Sequence, residues 1–327
     1  MPQTAAETAT AFWIEAPGKV CLRKTPLQPA QDGEVLVRML FSGISRGTER
    51  LVHEGRVPSS EHDRMRAPFM HGDFPFPVSY GYMGVGRVED GPDDLRGRNV
   101  FCLHPHHDRF RVPASAVTPL PEGLPAERAV LGANMETALN IVWDARIGPG
   151  DRVSVIGAGV VGLLSASLAA SMPGTSVSLI DTEPARAETA GKLGMSLSDP
   201  SAAETECDVV IHTSATASGL ATAIACAGLE ARIVEASWHG AGTTEVPLGG
   251  AFHSKRLSLV SSQVGHIPAD RRARWSFARR LRKALELLMP DRFDALISGE
   301  TAFGDLPGAY AGILADPTTL CHRIRYD

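Results

Sequence analysis

Between the short run Val153-Ser154-Val155-Ile156 and the apolar stretch Leu163 to Met172, the chain reads Gly157-Ala158-Gly159-Val160-Val161-Gly162. A G-x-G-x-x-G turn set between a strand and a helix constrains the fold more than any other segment. The first glycine permits a tight turn, and the second lets the backbone approach a pyrophosphate. The third lets the helix pack on the strand with its N-terminal dipole facing the phosphate. Gly157, Gly159, Val160, Val161 and Gly162 are therefore candidate dinucleotide contacts. No charged residue occurs from Val153 to Ile180, which on charge alone is long enough for a membrane span. The glycines and Pro173-Gly174 break that stretch into strand, turn, helix and strand, so no membrane association is expected.

Further runs carry the same signature. VSLID, CDVVIH, ARIVEAS and LSLVSS are near-continuous apolar segments separated by helical ones. Strands of that kind are buried on both faces, which predicts a doubly wound parallel sheet. The second strand ends in Asp181, 19 residues beyond Gly162. A carboxylate there accepts the ribose hydroxyls of NAD and repels the 2′-phosphate of NADP, although Arg186 is near enough to complicate the choice. Residues before about 125 read instead as short strands broken by Gly, Pro and Asp, with His53 to Pro77 as an excursion loop. Arg271 to Met289 has the spacing of an amphipathic helix, and ISGETAF and HRIRY near the end read as strands.

The 327 residues are 43% apolar and 21% charged, which excludes a disordered, collagenous or coiled-coil chain. A net charge of −5 argues against a general nucleic-acid binder. Five scattered cysteines without C-x-x-C spacing exclude a disulfide scaffold and a four-cysteine zinc lobe, and suit a reducing cytoplasm. Met1 to Thr10 is polar, without the pattern of an export signal.

The order GEVLVRMLFSGISRGTE, PVSYGYMGVGRV, GRNVF, IGPGDRVSVIGAGVVGLL and LISGETAF resembles the medium-chain dehydrogenase/reductase superfamily along nearly the whole chain. The octapeptide SGISRGTE resembles the bacteriochlorophyllide 2-hydroxyethyl dehydrogenase type. ANMETALN resembles uncharacterised bacterial "zinc-binding" dehydrogenases. The resemblance implies an α/β chain in which a Rossmann sheet is inserted between two parts of a GroES-like β-rich domain. The expected boundaries are 1–128, 129–268 and 269–327. It also implies an oxidoreductase of the EC 1.1.1 class that moves a hydride between NAD(H) and a small-molecule alcohol or carbonyl. A homodimer joined through LSLVSSQV follows from the same resemblance. The loops Thr213-Ser214, Ser237-Trp238 and Ser262-Gln263 are expected at the carboxyl edge of the sheet, against the cofactor.

The departures from zinc-dependent members concern the metal. Ser45 stands where the first ligand is a cysteine, Tyr82 where the second comes from G-H-E, and Gly132-Ala133 near the third. None can replace a thiolate, imidazole or carboxylate on Zn²⁺, so a zinc-independent enzyme without a bound metal is expected. Tyr82, Ser45, Glu136 and His104 are then the candidate acid/base residues. Arg46 either lowers the Tyr82 pKa or contacts the pyrophosphate. Ordinary packing roles for these four stand beside the catalytic ones, including a helix salt bridge for Glu136. Two other readings remain open: an NADPH-dependent reductase of activated C=C bonds, and an inactive dinucleotide-binding protein. The cluster His104-Pro105-His106-His107-Asp108 lacks helical ligand spacing. Asp270 to Lys283 carries seven Arg/Lys against one Asp, the pattern of a solvated basic helix face or of a contact for an anion or phosphate-bearing partner.

Overall fold

The computed structural model describes residues 7–327. The first six, which begin the polar N-terminal segment, lie outside the described residues. The chain divides into two compact units: residues 1–133 with 297–327, and residues 134–296. Residues 269–296, expected with the returning segment, thus lie in the second unit.

The second unit is built on a six-stranded parallel sheet. Its order is Leu197–Ser198, Ser176–Ile180, Arg152–Ile156, Cys207–His212, Ala227–Glu235 and Ser258–Ser261. In chain order that is 3-2-1-4-5-6, the doubly wound arrangement, with its switch point between Arg152–Ile156 and Cys207–His212. The apolar runs are buried as their continuity requires. Val153, Val155, Val210, Ile211, Ile233 and Val234 are each at most 1% exposed. The helices Val160–Ala170 and Ala217–Cys226 pack on these strands.

The first unit is mostly antiparallel and joins the two ends of the chain. The last strand, Cys321–Arg325, pairs antiparallel with Glu34–Ser45 and parallel with Ile297–Ala302. Glu34–Ser45 also pairs with Gly84–Asp90 and Arg109–Pro113. A second, four-stranded sheet contains Thr8–Ala16 and Lys19–Pro26. The excursion between residues 53 and 77 has more order than a loop: it contributes the short strand His71–Gly72 to that sheet. Among the described residues no helix is long and apolar enough to cross a membrane.

The basic helix is shorter than its periodicity suggests. It spans Phe277–Leu287, because the Ser276 side chain accepts the Arg279 N–H and caps it there. Trp275, Trp143, Leu139 and Ile267 form an apolar cluster beneath it, with Arg279 over the Trp275 ring at 4.1 Å.

Candidate functional site

The glycine turn has the geometry its spacing demands. Gly157 adopts φ +108, and a Cβ there would lie 2.8 Å from the Ser214 nitrogen. A Cβ on Gly162 would lie 1.8 Å from the Gly157 carbonyl oxygen. Gly159 has open space on its side and begins the helix Val160–Ala170 without a side-chain cap. The first N–H groups of that helix are therefore left for an anion. Asp181 is held against the turn, with Oδ2 accepting the Ala158 N–H at 2.6 Å and Oδ1 the Glu183 N–H at 2.8 Å. Arg186 opens the helix Arg186–Lys192 five residues on and is buried.

The loop residues lie at the carboxyl edge of this sheet as expected, but several side chains have local tasks. Thr213 donates to Gly157 O at 2.9 Å and so ties the turn to the neighbouring strand. Ser214 lies 2.7 Å from His212 Nε2, and Ser237 accepts the Ala215 N–H. Ser262 donates to Asp144 at 2.7 Å, Gln263 accepts the Gly265 N–H, and Trp238 is half-buried. Replacing Gly162 by Ala should overpack the turn and cost about 1–3 kcal/mol. Thermal unfolding and NADH titration check this: a lowered midpoint with weakened binding is expected, and an unchanged protein would contradict the geometry.

Tyr82 belongs to a separate cluster in the first unit. Its hydroxyl is hydrogen-bonded by the side chains of Ser45 and Thr48. Burial pushes its pKa up to about 12, which the Ser45 and Thr48 bonds oppose and the Glu49 charge reinforces. Arg46 Nε donates to Leu314 O at 3.1 Å. Ser45 itself is fixed through its N–H, which donates to Glu49 Oε1 at 2.8 Å.

Glu49 anchors a network whose members are far apart in the sequence. Its Oε2 accepts from Tyr310 at 2.8 Å and lies 3.1 Å from His106 Nε2. His106 Nδ1 meets Ser42 Oγ at 2.8 Å, and Ser42 meets Tyr326 at 2.9 Å. All five side chains are buried. The network clamps the start of the helix Arg46–His53, and with it the two hydroxyls that bind Tyr82. Thr48, Glu49 and Cys321 were not among the candidates. Thr48 and Glu49 fall inside the SGISRGTE motif and were open to detection there. Cys321 reaches Ser45 only through strand pairing of the chain ends. Burial pushes its thiol up to about 12, so it is not a ready thiolate.

Two other candidates have packed, hydrogen-bonded surroundings. Glu136 is buried and paired with Arg280 at 3.0 Å; the same guanidinium donates to Asn140 and Val264 O. Burial raises its pKa, which Arg280 opposes. His104 donates through Nδ1 to Pro105 O and stacks on Phe110 with ring centroids 3.7 Å apart. Burial lowers its pKa to about 3, so the ring stays neutral and does not have the near-neutral titration that made it a proton-transfer candidate. Among the described residues, no trio of His, Cys, Asp or Glu gathers around Ser45 and Tyr82. Ser45 and Tyr82 hydrogen-bond each other and offer no donor set suited to zinc.

No family model matches the chain. An uncharacterized zinc-type alcohol dehydrogenase-like protein of Haemophilus influenzae is 28% identical over 215 residues, covering 58% of this chain and 61% of that relative. The match thus spans about three-fifths of the relative's length. An alcohol dehydrogenase of Escherichia coli CFT073 complexed with NADH superposes with a TM-score of 0.77 at 18% identity, over 97% of this chain and 99% of the other. A putative zinc-binding dehydrogenase of Sinorhizobium meliloti bound to NADP gives 0.76 at 19%, over 98% and 99%. The fold is that of the medium-chain dehydrogenases/reductases, a Rossmann unit set within a GroES-like one. In sequence the chain is similar to the zinc-type alcohol dehydrogenase-like protein over those 215 residues.

Proposed function

We propose that the protein is an NAD(H)-dependent oxidoreductase that interconverts a small alcohol and its carbonyl without a catalytic zinc ion. The observation that carries this reading is Asp181, held by Ala158 N–H at the lip of an uncapped glycine turn. The two dinucleotide-bound neighbours carry NADH and NADP respectively, so they do not choose between the cofactors. The Asp181 carboxylate supports NAD(H), because such a group accepts ribose hydroxyls and repels a phosphate at the same place.

The dinucleotide supplies the hydride donor or acceptor when bound. The turn N–H groups at Val160 and Val161 would hold its pyrophosphate, and Asp181 its adenosine ribose. Tyr82 is the proton donor to the carbonyl oxygen, and Ser45 and Thr48 orient its hydroxyl and stabilise the phenolate left behind. A phenol with a pKa near 12 is neutral under ordinary conditions, which favours its use as an acid in carbonyl reduction. Glu136 and His104 take no part in this scheme. The strand Ser258–Ser261 lies at the sheet edge, where a second copy of the chain would extend it into a homodimer. A cytoplasmic location suits the same reading.

Fluorescence titration tests the cofactor assignment. NADH should bind at least about tenfold more tightly than NADPH, and Asp181→Ser should erase most of that difference. Tighter NADPH binding by the unmodified protein would support the C=C reductase reading instead.

A further inference from the structure

His212 ends the strand Cys207–His212 and Glu235 ends Ala227–Glu235, and the parallel register sets these two residues side by side. His212 Nδ1 lies 2.6 Å from Glu235 Oε2, and His239 Nε2 approaches the same oxygen at 3.6 Å. One donor atom from each of the three lies within 4.8 Å of the others, and among the described residues no other His/Cys/Asp/Glu group does this. The outward nitrogens are also held. His212 Nε2 meets Ser214 Oγ at 2.7 Å, and His239 Nδ1 meets Thr244 Oγ1 at 2.9 Å. A metal-bound neutral imidazole needs such a partner to fix its tautomer and ring orientation.

We propose that His212, Glu235 and His239 form a site for a divalent transition-metal ion of the zinc class, with a fourth position open to water. Two imidazoles and one carboxylate suit that class, whereas calcium and magnesium prefer oxygen donors alone. Tetrahedral ligands about 2.0–2.1 Å from zinc stand roughly 3.4 Å apart. The Glu235–His239 separation already has that spacing, and the His212–Glu235 pair must open by less than about 1 Å. The hydrogen shared between Nδ1 and Oε2 gives way to the ion, leaving His212 as the Nε2–H tautomer that donates to Ser214. Glu235 and His239 keep 17% and 22% of their side chains exposed, which leaves an entry path. The alternative use of Ser214-His212-Glu235 as a nucleophile triad is weaker. The Ala215 N–H, which would stabilise an oxyanion, is already bonded to Ser237 Oγ, and His239 would have no task.

The site uses none of the residues assigned to proton transfer, and its test reads metal binding rather than turnover. Metal-free protein is titrated with Zn²⁺ against a chromophoric chelator, and Co²⁺ substitution is followed by visible absorption. One equivalent of Zn²⁺ and a tetrahedral Co²⁺ spectrum are expected. His239→Ala should weaken binding at least about 100-fold with the metal-free unfolding midpoint unchanged, and Thr244→Ala by about 10-fold. Equal Zn²⁺ affinity in the unmodified protein and His239→Ala, or no competition with the chelator at all, overturns the proposal.

Discussion

Replacing Tyr82 by Phe should lower kcat for carbonyl reduction about 10²–10⁴-fold while leaving NADH affinity unchanged. The substitution removes one hydroxyl from a cluster whose remaining members, Ser45 and Thr48, then lack their common partner. The split between kcat and cofactor binding separates a proton donor from a packing tyrosine, whose loss would register mainly in the unfolding midpoint. The pH profile adds a second constraint. Burial raises the Tyr82 pKa to about 12, so the acid form persists through neutral and mildly alkaline pH. Carbonyl reduction should show no alkaline loss attributable to this group until roughly pH 11. A limb near pH 7 that vanishes in Tyr82→Phe would contradict the assignment.

Arg280→Ala should cost about 3–5 kcal/mol of stability, because it strands a buried carboxylate without its cation. The pair links the helix Gly132–Ala145 to the helix Phe277–Leu287, and Asn140 and Val264 lose donors as well. Exchanging both partners for apolar residues should recover most of the loss, since breaking a buried pair costs more than replacing it. The pH dependence has a definite sign. Burial already raises Glu136, and Arg280 opposes that rise, so its removal raises the folded-state pKa further. The folded variant then holds the Glu136 proton more tightly than the unfolded chain. Its contribution to stability is greatest at acid pH and falls as pH rises above the usual carboxylate range. The deficit of Arg280→Ala should therefore be larger at pH 8 than at pH 5, as denaturant titration at the two values would show. A deficit independent of pH would mean that Glu136 is not the group left stranded.

What could be read from the sequence was what is encoded locally. The Gly157 to Gly162 turn, the five apolar strand runs and the carboxylate at the end of the second strand each lie within a few residues, and each has its expected place in the sheet. The contacts that build the first unit's polar interior are not local. Ser42, Glu49, His106, Tyr310 and Tyr326 come from both ends of the chain, and no periodicity joins them. His104 drew notice as a histidine of ordinary pKa, but that value belongs to a solvated ring, and stacking on Phe110 removes the solvent. Glu136 was legible as a helix carboxylate, while its partner stands 144 residues away. The cysteine pattern was informative in a limited sense. It showed that the cysteine ligand is missing at Ser45, but not that two histidines and a glutamate converge at His212.

The most direct test of the account is NADH oxidation by chelator-treated protein presented with a panel of aldehydes and ketones. The account predicts turnover of at least one carbonyl substrate, retained after metal removal and lost in Tyr82→Phe. Turnover that disappears with the chelator and returns on adding Zn²⁺, in the unmodified protein and in His239→Ala alike, would contradict it.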